Sequence, residues 1–195
     1  MRQIRSSVIA IAVVSTFAAP VTAQEEWKTV TLRGEEGLTI SIPSAVPNTI
    51  GEKDPDGLMY IAASTAFYGD LVCIAHRNDY PKGTTQAAYA ASVATERRKV
   101  FCDHNQATIS GLSIYGSNSF MHNGFQAAVC TASYTDSAEK TPGRVRSQMI
   151  IAAPAKVYRL TCTVDDENQE KAEKDWVMFW ADEVKHMQDS FHLPN

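Results

Sequence analysis

Alternation of apolar and polar residues predicts a chain built mainly from antiparallel hairpins. The first hairpin spans residues 27–42 with a turn at 34–37, and its second strand places Leu38, Ile40 and Ile42 on one face. Six further strands are predicted in three pairs. These are 58–64 with 71–79, 112–121 with 125–135, and 144–153 with 156–164.

Turn-forming residues separate the predicted strands. Residues 68–70 are expected to turn the second hairpin, and Gly111 to turn the chain into the third. The His-Asn-Gly step at 122–124 is a strong hairpin signal, because asparagine and glycine tolerate the positive φ angles of a two-residue turn. Residues 154–155 form the tight turn of the last pair.

Two helices interrupt this pattern. Thr84 is the predicted N-cap of an Ala-rich helix over residues 85–100, whose basic run at 97–99 complements the helix dipole. The acidic residues 165–167 are expected to open a final helix. Apolar residues recur there at steps of three and four, which predicts a core-facing stripe. The stripe is Val177, Trp180, Val184, Met187 and Phe191, widened by Trp176 and Phe179.

The element order ββ–ββ–α–ββββ–α indicates a single α+β domain, since runs of antiparallel hairpins are combined with two long helices. A length of 195 residues agrees with one domain. The apolar content of 44% and the charged content of 21% are typical of a globular protein, and they exclude a disordered or fibrous chain.

Residues 1–23 are predicted to be a secretory signal peptide. Arg2 and Arg5 precede an apolar run, and small residues favour cleavage between Ala23 and Gln24. A membrane anchor is the alternative, but the twelve-residue run spans only about 18 Å as a helix against about 30 Å of hydrocarbon. Residues 24–195 are therefore expected to form one secreted domain in the periplasm.

The expected mature chain is acidic. It keeps 16 of the 18 basic residues against 22 acidic ones, a net charge of −6. Nucleic acid and anionic lipid surfaces are therefore poor candidate partners, because both are bound by clustered lysine and arginine. No later stretch approaches the ~20 consecutive apolar residues of a membrane span.

Cys73, Cys102, Cys130 and Cys162 are expected to form two disulfides, because their number is even and the predicted compartment is oxidising. Their spacings of 29, 28 and 32 residues lack the close pairs of a zinc site, and free thiols are the other alternative. Four cysteines allow three connectivities.

Geometry favours Cys73–Cys102, which leaves Cys130–Cys162 as the second pair. A helix that folds back along strand 71–79 returns Cys102 to Cys73, since the two elements measure about 24 Å and about 26 Å. The second pair requires a strand order other than a simple meander. In a meander Cys130 and Cys162 lie about 9.6 Å apart, which is too far for a disulfide.

The sequence contains no recognised catalytic motif. There is no Gly-x-Ser-x-Gly elbow, no His-Glu-x-x-His and no Gly-rich phosphate loop, and the five histidines are scattered. Cys102 beside His104, and the acidic run at 165–167, are the candidate metal ligands, and both have simpler structural explanations. We therefore expect a protein that is not an enzyme, with no catalytic residue, cofactor or metal.

The element order and several short steps resemble the PsbP-like superfamily, which includes bacterial periplasmic DcrB-like proteins. The steps are Leu-Thr-Ile-Ser-Ile-Pro at 38–43, Pro-Lys-Gly-Thr-Thr at 81–85, Ile-Ser-Gly at 109–111, Val-Tyr-Arg-Leu-Thr at 157–161 and Asp-Ser-Phe at 189–191. The resemblance covers nearly all of residues 27–193. It implies an antiparallel sheet flanked by helices, an α/β/α sandwich with a long C-terminal helix, but no common chemistry.

Two functions are compatible with these features. The first is a non-enzymatic periplasmic accessory protein that binds another envelope protein. Tyr68, Phe120, His122 and Phe125 are its candidate contacts, because exposed aromatic residues anchor interfaces. The alternative is a periplasmic carrier of a small molecule or lipid, with a pocket between the sheet and the Ala-lined helix. An exposed apolar patch would favour the first function, and an apolar pocket the second.

Overall fold

A six-stranded antiparallel sheet forms the centre of the structure, a computed structural model that describes residues 27–32, 37–43, 57–65, 68–95 and 108–193. Side chains are described in all these ranges except 57–70. The predicted signal peptide and its cleavage site, Ala23–Gln24, lie outside the described residues.

Eight strands and two helical regions make up the described chain. The strands are β1 (Trp27–Thr31), β2 (Thr39–Pro43), β3 (Gly57–Thr65), β4 (Tyr68–Asp79), β5 (Ile109–His122), β6 (Phe125–Asp136), β7 (Gly143–Ala153) and β8 (Lys156–Asp166). Helix α1 (Gln86–Thr95) precedes β5. The C-terminal helix consists of α2 (Gln169–Asp175), a π-helical turn (Trp176–Trp180) and α3 (Ala181–Asp189).

The large sheet has the order β3-β4-β8-β7-β6-β5, and β1 pairs with β2 in a separate hairpin. Helices cover both faces of the large sheet, which confirms the predicted α+β sandwich. On one face Trp180 and Phe191 of the C-terminal region pack with Leu160, together with the β1–β2 hairpin. On the other face α1 packs Tyr89 and Val93 against the sheet.

Two predicted turns are parts of strands. Residues 68–70 belong to β4, and the connection between β3 and β4 lies outside the described residues. Gly111 lies within β5, where its φ of 66° coincides with a shift in strand register between Ser110 and Ser113. A glycine with positive φ is typical of a β-bulge, so the backbone bends here without leaving the sheet.

Helix α1 is capped one residue later than predicted. The Oγ1 of Thr85, rather than of Thr84, accepts the backbone N–H of Ala88 at 3.2 Å. The helix is described as far as Thr95, and the basic run predicted at its end, residues 97–99, lies outside the described residues.

Two residues of the acidic run that was predicted to open the final helix, Asp165 and Asp166, end β8 instead. Asn168 caps α2, where its side-chain oxygen accepts the N–H of Lys171 at 2.9 Å. Asp165 pairs with Arg144, and Asp166 accepts Lys171 Nζ at 2.9 Å. Both carboxylates are therefore neutralised by cations of the fold.

The predicted apolar stripe is buried at Trp180, Val184, Met187 and Phe191, but Val177 is 73% exposed. The π-helical turn causes the difference. The N–H of Ala181 reaches back to the carbonyl of Trp176, five residues earlier, so this turn is wider than an α-helical one. The change of phase turns Trp176 to the core and Val177 to solvent.

Cys73 and Cys162 form a disulfide, so both favoured pairs of the sequence analysis are wrong. These two cysteines are directly opposed on β4 and β8, with 4.0 Å between their Cα atoms. The prediction joined Cys73 to the next cysteine along the chain, whereas β8 returns to lie between β4 and β7. Cys130 is also disulfide-bonded, and Cys102 lies outside the described residues.

Candidate functional site

An open groove of about 650 Å³ runs between the C-terminal helix and the outer strands β5 and β6. Its position follows from the sheet order, because β5 is the last strand on this side and the helix leaves part of it uncovered. The apolar walls come from both elements. Trp176, Ala181 and Val184 line the helix side, and Tyr115, Phe120 and Val129 line the strand side.

Exposed apolar side chains occur on the strand wall of this groove and in the helical turn that contributes Trp176 to its other wall. Tyr115 is 52% exposed on the strand side. Val177 and Met178, which directly follow Trp176, are 73% and 59% exposed. The π-helical turn presents both of them to solvent. Exposed apolar residues grouped beside a groove are typical of a docking surface.

The far end of the groove is polar. Gln188 Nε2 donates to Ser147 Oγ at 3.0 Å, and Ser147 Oγ lies 2.9 Å from Thr131 Oγ1. Lys185 and Asp189 form an ion pair on the helix side. All five residues line the groove, so it combines an apolar end with an end rich in hydrogen-bonding groups.

A hydrogen-bonded cluster joins α2 to β5 and β6 next to the apolar end. Ser133 Oγ donates to Glu173 Oε1 at 2.6 Å and lies 3.0 Å from the Tyr115 hydroxyl. Hydrogen bonds from Ser133 and Tyr115 hold the pKa of the Glu173 carboxyl below its ordinary value. Burial, and then the hydrogen bond to Glu173, raise the pKa of Tyr115. Near neutral pH the carboxylate is therefore ionised and the phenol keeps its proton.

Gln169 ties the β5 bulge into the same cluster. Its Nε2 donates to the Gly111 carbonyl at 2.9 Å and to Ser133 Oγ at 2.8 Å. A Cβ placed on Gly111 would lie 2.8 Å from Gln169 Oε1, so a side chain at this position would disturb the contact. The bulge thus places the β5 backbone against α2.

This cluster joins α2 to the strands that line the groove. Ser133 is fully buried, although its hydroxyl is hydrogen-bonded to a carboxylate. Within the described ranges, no group of three or more His, Cys, Asp or Glu side chains is placed to hold a metal ion. The hydrogen bonds can hold α2 in a fixed position against the strands. The groove between the helix and the strands can then bind a ligand or a partner.

Of the four aromatic contacts proposed from the sequence, the three whose side chains are described are buried or half-buried, and Phe120 alone among them lines the groove. Phe120 lines the groove and also packs against the main core, and Phe125 packs against that core as well. His122 is buried, and its Nε2 donates to the Phe191 carbonyl at 2.5 Å, which fastens the β5–β6 turn to the C-terminal segment. The side chain of Tyr68 lies outside the described residues.

Sequence reasoning missed the main exposed residues of the surface, namely Tyr115, Val177 and Met178. The sequence contains one signal for the exposure of Val177 and Met178. Residues 176–180 are five consecutive apolar residues, and such a run covers the whole circumference of a helix, so part of it must face solvent. Which part is exposed depends on the π-helical turn, and the apolar pattern alone does not specify one.

The space expected beneath the Ala-rich helix is filled along the described part of α1. Tyr89 and Val93 pack against a buried cluster on the sheet. The cluster comprises Ala128, Cys130, Ile150, Ala152 and Val157. The groove between sheet and helix is therefore found on the opposite face, against the C-terminal helix.

No protein-family model matches this sequence, and no curated protein matches it significantly. Solved structures do match over nearly the whole chain. The cyanobacterial PsbP protein CyanoP from Synechocystis sp. PCC 6803 aligns with a TM-score of 0.56 and 11% identity, covering 91% of this chain and 98% of that chain. The chain has the PsbP-like fold.

Two further structures with this fold come from distant organisms. LpqN of Mycobacterium tuberculosis, described as involved in cell envelope biogenesis, aligns with a TM-score of 0.55 and 14% identity over 88% of this chain and 92% of that chain. The Ran-binding protein Mog1p of Saccharomyces cerevisiae aligns with a TM-score of 0.55 and 13% identity over 87% and 96%. At these identities the PsbP-like fold is shared, and function must be argued from the site.

No helix among the described residues has the length and apolar character needed to cross a bilayer.

Proposed function

We propose that this chain is a non-enzymatic accessory protein of the periplasm that binds another envelope protein through the groove between the C-terminal helix and β5–β6. The observation that carries the proposal is the open groove with exposed Tyr115 on its strand wall. The helical turn that contributes Trp176 to the other wall also exposes Val177 and Met178. A monomer gains nothing in stability from apolar residues that remain in water, whereas a docked partner removes them from it.

The location rests on separate features. The N-terminal segment has the charge, apolar run and small residues of a secretory signal. The disulfide between β4 and β8 agrees with an oxidising compartment. Protein binding also occurs on this fold, since Mog1p is described as Ran-binding. LpqN, which shares the fold, is described as involved in cell envelope biogenesis.

The test is site-specific photocrosslinking of the tagged full-length chain in its native cells. A photoreactive residue at Val177 should crosslink to an envelope protein that mass spectrometry identifies. The double variant Val177→Ser/Met178→Ser should reduce capture of that protein at least tenfold, and thermal unfolding should show that it remains folded.

Met121 provides the matched control. It is 64% exposed on β5, and strand alternation directs its side chain to the opposite face from Phe120, which lines the groove. Met121→Ser should leave capture within twofold of the wild type, and a crosslinker at position 121 should not label the partner. Equal capture by all variants would contradict docking at the groove.

A carrier of a small molecule or lipid is the second candidate. The groove volume of about 650 Å³ favours it, because it falls within the range of ordinary ligand sites. Native mass spectrometry of the purified chain distinguishes the two functions. A bound molecule released by Val177→Ser/Met178→Ser supports the carrier, and a ligand-free chain that captures a protein supports the accessory function.

A further inference from the structure

A second depression, of about 390 Å³, lies on the opposite face of the sheet from the groove. Neighbouring residues of β7 line either the groove or the depression, because successive side chains of a strand point to opposite faces of the sheet. Ser147 lines the groove, whereas Arg146 and Gln148 line the depression, which we call the arginine basin. Its lining residues are Ile74, His76, Asn78, Tyr134, Arg144, Arg146, Gln148, Arg159, Thr161 and Thr163.

Strand register places the polar residues of the basin in successive rows. Arg146 is opposite Thr163, Gln148 is opposite Thr161, and Arg159 is opposite Ile150 in the next row. Rows on one face are about 6.8 Å apart along the strands. The two arginines therefore lie on either side of the Gln148–Thr161 pair, and both side chains are long enough to extend over it.

One arginine of the basin serves the fold. Arg144 forms two hydrogen bonds with Asp165, at 2.5 Å and 2.8 Å, and lies 4.0 Å from Asp136. Bidentate pairing of this kind satisfies a guanidinium and fixes it in place. Arg144 therefore lines the basin, but Asp165 neutralises its charge.

Arg146 and Arg159 differ from Arg144. The structure gives neither a hydrogen bond nor an ion pair with any described residue, and both are half-buried. Their Nε atoms are shielded from solvent and have no acceptor among the described residues. A buried donor without an acceptor costs free energy, and a structural arginine usually avoids that cost by pairing with a carboxylate. Within the described part of this acidic chain, these two positive charges therefore have no carboxylate partner.

The floor between these arginines supplies further donors. Gln148 Nε2 donates to Thr161 Oγ1 at 3.1 Å, which orients the amide and leaves the Thr161 hydroxyl proton free to point outward. Thr163 adds a second hydroxyl beside Arg146. Guanidinium groups flanking hydroxyl donors match the geometry of a phosphate or a similar oxyanion.

We propose that the arginine basin binds an oxyanion, with Arg146 and Arg159 holding it from two sides and Thr161 donating from the floor. The ligand class is a small phosphate-bearing molecule, either free or as the headgroup of a lipid. A volume of about 390 Å³ accommodates the charged group together with a small organic portion. The site is independent of the groove proposed above, since it lies on the other face of the sheet.

Calorimetric titration of the purified chain with inorganic phosphate, at constant ionic strength, tests the site. We expect saturable binding that weakens at least tenfold in Arg146→Gln/Arg159→Gln. Arg77→Gln is the matched control, because Arg77 is an exposed arginine on the other face of β4. The affinity of this variant for phosphate should stay within twofold of the wild type. If the double variant does not fold, Arg146→Lys and Arg159→Lys keep the charge and should each weaken binding at least threefold by losing bidentate geometry.

Vesicles distinguish the two sources of the oxyanion. Sedimentation with phosphatidylglycerol vesicles but not phosphatidylcholine vesicles, lost in the double variant, assigns a lipid headgroup. Phosphate binding without vesicle binding assigns a free ligand. The proposal is overturned if the wild type binds neither probe, or if Arg77→Gln weakens binding as much as the basin variants do.

Discussion

At the scale of single residues, Gly143 is the clearest steric constraint in the fold. It begins β7 beside the cap of α2, where a Cβ would lie 1.9 Å from the backbone carbon of Asn168 and 2.5 Å from the nitrogen of Gln169. Backbone atoms cannot rotate away as a side chain can. The close approach of β7 to the first turn of α2 therefore requires glycine.

Gly143→Ala should lower the free energy of unfolding by about 3 kcal/mol or more, because the added methyl group forces the strand and the helix cap apart. Gly116→Ala is the matched control, since a Cβ on Gly116 in β5 meets nothing within 4 Å. It should change stability by less than about 1 kcal/mol. Urea unfolding of both variants checks the difference, and equal effects would contradict this account.

At the scale of elements, the C-terminal helix joins the core to the exposed surface. Its π-helical turn buries Trp176 and Trp180 and exposes Val177 and Met178. A regular α-helix would preserve the three-four stripe and bury Val177. One irregular turn thus creates the apolar surface that we assign to partner binding.

Val177→Ala and Val184→Ala compare the two environments with one substitution. Val184 is 1% exposed, so its truncation should cost roughly 2 kcal/mol from lost burial and an unfilled space. Val177 is 73% exposed, and its truncation should change stability by less than about 0.5 kcal/mol. Thermal and urea unfolding provide the measurement. A large loss for Val177→Ala would show that the helix is regular in solution.

Elements with local signals were predictable from the sequence. The hairpin at residues 122–124 is found as predicted, with φ of 50° at Asn123 and 81° at Gly124. Strands β7 and β8 lie within two residues of their predicted bounds, because alternation and turn residues are local patterns. The cap at Asn168 was missed, since an adjacent acidic run gives the same helix-start signal.

The groove and the arginine basin depend on how far apart strands and helices lie. Local sequence patterns do not specify these distances. The groove exists because β5 extends beyond the helix, and no residue of either element specifies that offset. The arginine basin had a readable signal, since Arg144, Arg146 and Gln148 alternate along a strand predicted inside the sheet. Whether an arginine forms an ion pair depends on the residues of the neighbouring strand. Arg144 is paired because the strand register places Asp165 opposite it.

At the scale of the whole molecule, the pairing of β4 with β8 joins the β3–β4 hairpin to the β5–β8 meander. The cysteines at this junction, Cys73 and Cys162, are 89 positions apart and fully buried. No periodicity within either strand selects such a distant partner, which explains why the sequence-based pairing of cysteines failed.

Cys73→Ala/Cys162→Ala should lower the free energy of unfolding by about 2–4 kcal/mol, because the bridge restricts the unfolded chain over a long loop. Chemical denaturation with the remaining cysteines kept oxidised measures this loss. Because both sulfurs are buried, reductant alone should leave the folded wild type intact under native conditions. A variant as stable as the wild type would show that strand packing alone sets the stability of this junction.

The bridge also turns the chain into a covalent loop that encloses α1 and β5 to β7. A protease that cuts the backbone once inside this loop releases no fragment, and the molecule gains only the mass of one water. The two pieces separate when the sulfur–sulfur bond is reduced. In an oxidising, protease-containing compartment, a nicked molecule would therefore remain a single covalent body, with its outer strands and both candidate surfaces still attached.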